Sequence, residues 1–380
     1  LTLEARVHDS ITAIGRPAWE GLAAATGDPF VGFDFLDICE ASGCAQPAQG
    51  WAAHHLTLEA DGVLVGAMPL YLKGHSLGEY VFDQGWAEAF ERAGGRYYPK
   101  LLGGVPFTPV TGPRLLGATD DIKLALVRAA VALTEREGLS SLHVNFARAC
   151  DQSILTQAGL LPRMDRQFIW QNRGYADFDG FLADLSSSHR KTIRRERREA
   201  RAGLDIRVLT GSDLTEAVWD AFFAFYLDTG GRKWGRPHLN RTFFSMLGER
   251  LAGRIALVMA FEARRPIAGA LNFIGADALY GRQWGTIQPR PFLHFELCYY
   301  QAIDLAVALQ LDRVEAGAQG DHKLARGYLP VTVTSAHHIS HPGLRRAVSA
   351  YLDDERAAVT DEATVMLDHF SPFRHGSKTS

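Results

Sequence analysis

The densest run of reactive side chains is residues 279–330, LYGRQWGTIQPRPFLHFELCYYQAIDLAVALQLDRVEAGAQGDHKLARGYLP. Its strand-like start carries Tyr280, Arg282 and Trp284, and its Gly/Pro loop runs into a helix opening with His294 and Glu296. A short apolar strand then leads to Glu315, Gln319, Asp321, His322, Lys323 and Arg326. This set suits the making of an amide from a thioester or ester. The attacking amine, with a free pKa of about 10, must give a proton to a base. The carbonyl oxygen needs donors as it becomes an oxyanion, and the leaving group must be held and protonated.

Two bases are on offer. Glu315 follows Val314 on a strand expected to be buried, where a carboxyl pKa rises toward that of a base; pairing with Arg282 or Arg326 is the equal alternative. His322 stands in a Gly-flanked turn beside Asp321 and Lys323, and imidazole titrates near neutrality. Tyr280 and Tyr328 are candidate acids for the departing group, or plain core. Where residues 285–291 enter the helix, backbone N–H groups with Arg282, Gly285, Thr286, Arg290 and His294 form a candidate pyrophosphate cradle. Lys323 and Arg326 suit an anionic group on the substrate. His294 and Cys298 have helical i, i+4 spacing and could join His322 around a metal, but no fourth ligand is evident and none is expected. No cysteine lies in an electropositive turn, which argues against a thiol nucleophile.

The elements that must position these residues come from a chain of 380 residues, 47% hydrophobic, long enough for two cores. Its 40 Lys and Arg against 43 Asp and Glu give a net charge of −3, so anion binding must be local. Cys39, Cys44, Cys150 and Cys298 have no close pairing and read as reduced thiols. The opening LTLEARVHDS shows no secretory leader, and no apolar run reaches the length of a membrane span. The expectation is a cytoplasmic enzyme, with peripheral association at the inner membrane left open.

The chain reads as two copies of one pattern. LTLEADGVLVGAMPLYLKG is a hairpin turning at Asp61-Gly62, and LVMAFEARRPIAGALNFIG has the same form about two hundred residues later. Val65 to Met68 and Ala268 to Leu271 occupy equivalent places. An amphipathic helix follows each hairpin, at residues 120–137 and 293–309. Each helix leads to a short strand, SLHVNF and RVEAG, and the second copy ends in a strand pair, VTVTSAHHIS. This is an α/β fold of two tandem units with mixed sheets, residues 1–165 and 166–380. The second copy is expected to hold the chemistry, because RVEAGAQGDHK stands where the first has SLHVNFARAC. Residues 96–113 and the aromatic run 222–226 are candidate walls of an acyl channel, or ordinary packing.

Between the copies, residues 186–203, SSSHRKTIRRERREARAG, predict a helix with Ser N-caps and a Gly C-cap. Arg190, Lys191, Arg194, Arg195, Arg197, Arg198 and Arg201 face only Glu196 and Glu199, which favours a phosphate site over a plain solvated face.

The segments MPLYLKGHSLGEYVFD, RYYPKLLGGVPFTPVTGPRLL, SSSHRKTIRRERREA, GALNFIG, LYGRQWG, LHFELCYYQAID and EAGAQGDHKLARGYLPV resemble the FemAB-like predicted N-acyltransferases of bacteria. That family is part of the GNAT superfamily and is distantly similar to the Fem-type aminoacyl-tRNA transferases of peptidoglycan synthesis. The resemblance implies a tandem pair of GNAT-like acyltransferase domains with mixed central sheets. It also implies acyl transfer to an amine, with acyl-CoA as co-substrate held near residues 285–294 and no metal. By the same likeness Arg190, Lys191 and Arg194, with Lys323 and Arg326, contact phosphates. Some relatives in sphingolipid-making bacteria are assigned to ceramide formation, joining a fatty acyl-CoA to a long-chain amine. One departure stands out: the superfamily's pyrophosphate signature, Q/R-x-x-G-x-G/A, survives only as a remnant in Arg282 to Thr286. Carrier-protein and aminoacyl-tRNA donors therefore stay open, and nucleic acid is expected as a partner only if tRNA carries the donor. The rivals are an aminoacyl-tRNA-dependent transferase acting on a peptidoglycan precursor, and a non-catalytic acyl-carrier or lipid-binding protein.

Overall fold

The computed structural model describes residues 3–234, 237–317 and 320–374. The first half of the chain supplies β1 (Leu3–His8), β2 (Trp51–Ala53), β3 (His55–Ala60), β4 (Val63–Met68), β5 (Leu70–Lys73), β6 (Lys100–Gly103), β7 (Leu116–Gly117), β8 (Ser141–Ala147) and β9 (Leu161–Gln171). The second half supplies β10 (Asp205–Leu209), β11 (Ile255–Glu262), β12 (Arg265–Ile274), β13 (Ala278–Thr286), β14 (Arg313–Glu315) and β15 (Leu329–Ile339).

Two compact units result. One is Leu1–Asp165 with Thr332–Asp361; the other is Arg166–Val331 with the chain from Glu362 onward. The expected second domain, residues 166–380, thus gives up 332–361 to the first unit. The cause is an exchange of strands. Residues 334–339 of β15 pair with β8 in the first unit, and residues 169–171 of β9 pair with β14 in the second. The segment VTVTSAHHIS is accordingly part of one long strand, not a strand pair. Residues after it stay with the first unit, because Leu344, Val348 and Leu352 pack with Trp86 and Tyr97.

The first unit has an antiparallel sheet in the order β1-β3-β4-β7 and a mixed array β15-β8-β6-β5-β2, in which β6 and β8 run parallel. The second has β10-β11-β12-β13-β14-β9, in which β13 and β14 run parallel. The hairpins β3–β4 and β11–β12 turn on two residues of positive φ each, Asp61 (51°) with Gly62 (78°) and Ala263 (46°) with Arg264 (73°). Such turns match the right-handed twist of the strands they join.

The helix Asp120–Arg136 starts where Thr119 accepts from the Ile122 N–H, with Asp120 and Asp121 in its first turn and Arg136 in its last. Its Leu126, Val127 and Ala130 bury against Leu101, Leu142 and Val144 of β6 and β8. The expected helix at 293–309 is interrupted: Leu293–Phe295 is α-helical, Glu296–Tyr300 is a π-turn, and Gln301–Ala308 is α-helical again.

The two candidate channel walls each pack inside their own unit. Phe107 lies 5.1 Å from the Trp51 ring in the first, and Phe222 lies 5.6 Å from Phe244 in the second. Among the described residues no helix is long and apolar enough to cross a membrane.

Gly285 is placed by packing. The helix Glu216–Trp234 crosses β13 so closely that a Cβ on Gly285 would lie 2.2 Å from the Phe225 carbonyl oxygen. Backbone cannot step aside as a side chain can. Gly285→Ala is expected to destabilise the protein by about 1–3 kcal/mol, read as a lower urea midpoint at unchanged slope.

Candidate active site

The parallel strands β13 and β14 stay together for three register pairs only, Ala278 with Arg313, Leu279 with Val314 and Tyr280 with Glu315. β13 then runs on to Thr286, bonded to β12 across a bulge at Leu271/Asn272. In the opening lies a cavity of about 110 Å³, lined by residues 270–272 of β12, 281–284 of β13, Ala316, and His294, Cys298 and Tyr299 of the interrupted helix.

The titratable side chains here come from β13 (Arg282), the turn Leu293–Phe295 (His294), the π-turn (Cys298 and Tyr299) and the 3-10 turn Asp321–Arg326 (His322). His322 Nε2 is 2.9 Å from the Tyr299 hydroxyl. The His294 ring stands 5.3 Å from Tyr299 and 5.9 Å from His322. Burial pushes the Tyr299 hydroxyl pKa upward, so it stays a neutral phenol. Tyr299 is not among the residues that the sequence singles out. The π-turn, which points it at the cavity, leaves no local signature.

The expected site residues divide. Arg282 and His294 line the cavity, and His322 reaches it through Tyr299. Glu315 is buried, with Oε1 accepting from Arg313 Nε at 2.9 Å, and Arg313 also donates to the Tyr280 hydroxyl at 3.4 Å. In place of the expected Arg282 or Arg326, the carboxylate pairs with Arg313, two residues away on the same strand. Tyr328 is fully buried, donates to the Tyr299 carbonyl at 3.1 Å, and has its pKa raised by that burial. The expected pyrophosphate cradle is filled from within. Gly285 meets the crossing helix, Thr286 donates to the carbonyls of Ile267 and Gln288, and Arg290 pairs with Glu262. Gln319 and the side chain of Asp321 lie outside the described residues.

Lys323 and Arg326, expected on an anionic ligand, are held by the protein. Lys323 is 2% exposed and donates to the Gly317 carbonyl at 2.7 Å, and burial pushes its pKa down to about 8. Arg326 makes a two-pronged bond to Glu196 (2.7 and 3.2 Å), donates to the His322 carbonyl at 2.6 Å, and sits 3.4 Å over the Phe295 ring.

Glu196 belongs to the basic helix, Ser187–Arg201, so it does not neutralise that helix's own cations. Their partners come from elsewhere. Glu296, 0% exposed, accepts from Arg197 (3.2 Å) and Arg201 (2.8 Å), and Asp304 pairs with both. Arg190, Lys191, Arg194, Arg195 and Arg198 remain on the outer side, along an open concavity of about 410 Å³. Arg194 meets Asp179 at 3.0 Å and Arg195 meets Glu199 at 3.9 Å. Among the described residues, nothing pairs with Arg190, Lys191 or Arg198.

The first unit, expected to be silent, holds a buried polar network. Lys73 of β5, Lys100 of β6, His143 of β8 and His337 of β15 share one sheet face, by the registers Lys73 with Lys100 and His143 with His337. Lys100 donates to Ser76 (2.8 Å), Glu79 (2.9 Å) and Asp83, and Tyr97 donates to Asp83 at 2.7 Å. Burial opposes the Lys100 charge, but the two carboxylates outweigh it and raise its pKa. Lys73 has less compensation, and burial lowers it to about 7. Burial holds His143 down to about 3 and His337 well below its ordinary range. Their Nδ1 atoms, 2.6 Å apart, therefore share one proton between two neutral rings. The alternation Ser141, His143, Asn145 in SLHVNF was the sequence signal for a polar face on this strand.

A profile of the FemAB-like family, described as peptidoglycan biosynthesis/recognition, matches residues 10–375. Among solved structures, the C-terminal domain of a protein described as a lysylphosphatidylglycerol synthetase from Agrobacterium fabrum aligns with TM-score 0.57 at 10% identity, over 93% of this chain and 97% of that one. FemX aligns with TM-score 0.55 at 11% identity, over 91% of this chain and 100% of its own. A conserved protein of unknown function from Bacteroides thetaiotaomicron gives 0.54 at 11%, over 88% and 99%. The comparison with curated proteins finds no match. At such identities the likeness shows the fold alone, an α/β architecture shared over nearly the whole of both chains.

Two stability measurements follow from the ionic contacts. Glu296→Gln leaves Arg197 half-buried and short of a counter-charge, and is expected to cost about 3 kcal/mol, whereas Arg198→Gln on the outer face stays within about 0.5 kcal/mol. Lys323 is protonated in both folded and unfolded chains below its folded pKa of about 8. Between that value and the ordinary lysine range the unfolded chain binds more protons, so this group makes stability rise with pH. The wild-type stability measured against Lys323→Met should therefore climb from pH 8 to 10 and be level below.

Proposed function

The chain belongs to the FemAB-like family, and from that premise we propose that it is an N-acyltransferase carrying an acyl group from acyl-CoA to a primary amine, a long-chain sphingoid base. The supporting observation is the opening between β13 and β14, with its cavity and the His322–Tyr299 pair at its wall. In that opening the amine nitrogen attacks the thioester carbonyl carbon, the N–C bond forms, and the C–S bond then breaks. His322, in hydrogen-bond contact with the Tyr299 hydroxyl, accepts the amine proton. Tyr299 protonates the departing thiolate and is reprotonated by His322, which closes the cycle. Arg282 faces the oxyanion. Glu315 ranks behind His322 as the base, because Arg313 already occupies one of its oxygens.

The donor's phosphates fall to Arg190, Lys191, Arg194, Arg195 and Arg198 rather than to Lys323 and Arg326, which the protein holds itself. The sphingoid acceptor rests on the resemblance to relatives assigned to ceramide formation. A second reading, an aminoacyl-tRNA-dependent transferase acting on a peptidoglycan precursor, is favoured by the family's description and by the outer basic face, which suits a nucleic-acid backbone. Under it, binding of tRNA would weaken steeply with salt.

The test is thiol release by the purified protein from acetyl- to palmitoyl-CoA with pooled amines including sphinganine. Release is expected to depend on one amine, and to fall about 10²–10⁴-fold in His322→Ala and in Tyr299→Phe. Tyr280→Phe should fall far less. Absence of release with every acyl-CoA would overturn the CoA assignment and turn the search to carrier-protein and tRNA donors.

A further inference from the structure

The wall of the β13/β14 cavity holds polar atoms that the acyl-transfer scheme does not use. Asn272 of β12 is 1% exposed. Its Nδ2 donates to two backbone carbonyls, Ala256 and Ala270, each at 3.2 Å, and these bonds fix which way the amide faces. Oδ1 is thereby turned away from both carbonyls, and it has no hydrogen-bond partner. Its direction is set by Gly281, directly across in the β12/β13 register: a Cβ there would sit 3.4 Å from Oδ1. Gln283, past the bulge on β13 and paired with Leu271, lines the cavity too, and its Oε1 is likewise buried without a partner. Two unpartnered acceptor oxygens thus belong to residues lining one small cavity. A buried amide oxygen left without a donor costs about 1–3 kcal/mol, so a ligand that supplies donors is favoured there.

We propose that this cavity is the subsite for the head of the amine acceptor, a primary amine whose N–H groups donate to Asn272 Oδ1 and Gln283 Oε1. The proposal rests on the acyl-transfer reading and names which substrate enters the cavity and how it is recognised. The volume sets the size of the group. An apolar cavity of about 150 Å³ takes benzene, so about 110 Å³ admits a head of about four or five heavy atoms, with any longer chain left outside. The chemistry sets its state. Both oxygens accept, so each takes one N–H of a neutral amine and leaves the nitrogen lone pair free to attack. Arg282 lines the same cavity and disfavours a second positive charge beside it. A tertiary amine offers no donor and is excluded.

Gly281→Ala is the sharpest probe. The added methyl meets Asn272 Oδ1 at 3.4 Å and nothing closer, so the fold tolerates it while the acceptor oxygen is covered. With the acyl donor and amine that support turnover, Gly281→Ala and Gln283→Leu are each expected to raise KM for the amine at least about tenfold, with KM for the donor unchanged. A rise in the donor's KM alone would place the donor's amide-bearing arm in the cavity and overturn the proposal, as would no change in either. A calorimetric titration with 2-aminoethanol at pH 9.5 decides the matter apart from turnover. Binding by the wild type that is lost in Gly281→Ala sustains the subsite even if no acyl-CoA is consumed. No binding by the wild type overturns it, even if acyl transfer is established.

Discussion

Two buried carboxylates, exchanged between neighbouring elements, hold the second unit's reactive groups in place. Glu196 leaves the basic helix to bind Arg326 and accept from the Tyr300 hydroxyl. Glu296 leaves the π-turn to bind Arg197 and Arg201 of that same helix. The π-turn carries Tyr299, and Arg326 grips the carbonyl of His322. The pair facing the cavity is therefore set by ionic contacts that never touch it. A buried charge that loses its partner is more costly than one never buried, which makes such an exchange hard to erode one residue at a time.

The exchange also explains the composition of the basic helix. Seven cations in one helix look excessive when only its own glutamates are counted. Two of them are the helix's attachment to the π-turn, and the remaining five face outward. Attachment on one side leaves the outer cations side by side along one open concavity.

Local elements were legible in the sequence because local residues decide them. The turn at Asp61-Gly62, the helix capped by Thr119 and the span of the basic helix all rest on neighbours within a few positions. The two-copy pattern was legible for the same reason, since each hairpin is contiguous. What escaped depends on distant residues. The exchange of β9 and β15 joins strands far apart in sequence, so a boundary drawn once at residue 165 missed the return of residues 332–361 to the first unit. Arg326 reads as an anion ligand until Glu196, a hundred and thirty positions away, is found against it. Tyr299 gained its place from a π-turn, and Asn272 from a bulge that sets it opposite Gly281. Glu315, Tyr280 and Tyr328 were picked by residue type, and the structure gives each of them a partner within the protein.

The central claim is that chemistry takes place where β13 leaves β14. Amide hydrogen exchange with an unreactive bisubstrate analogue, an amine head joined to the sulfur end of CoA, tests it directly, because residues 281–284 face the opening beyond the last register pair with β14. Slowed exchange at those amides and at Ala316, with β6 and β8 unchanged, is the outcome expected. Slowed exchange confined to the first unit, around Lys73, Lys100 and His143, would contradict the claim and move the reaction to the buried network there.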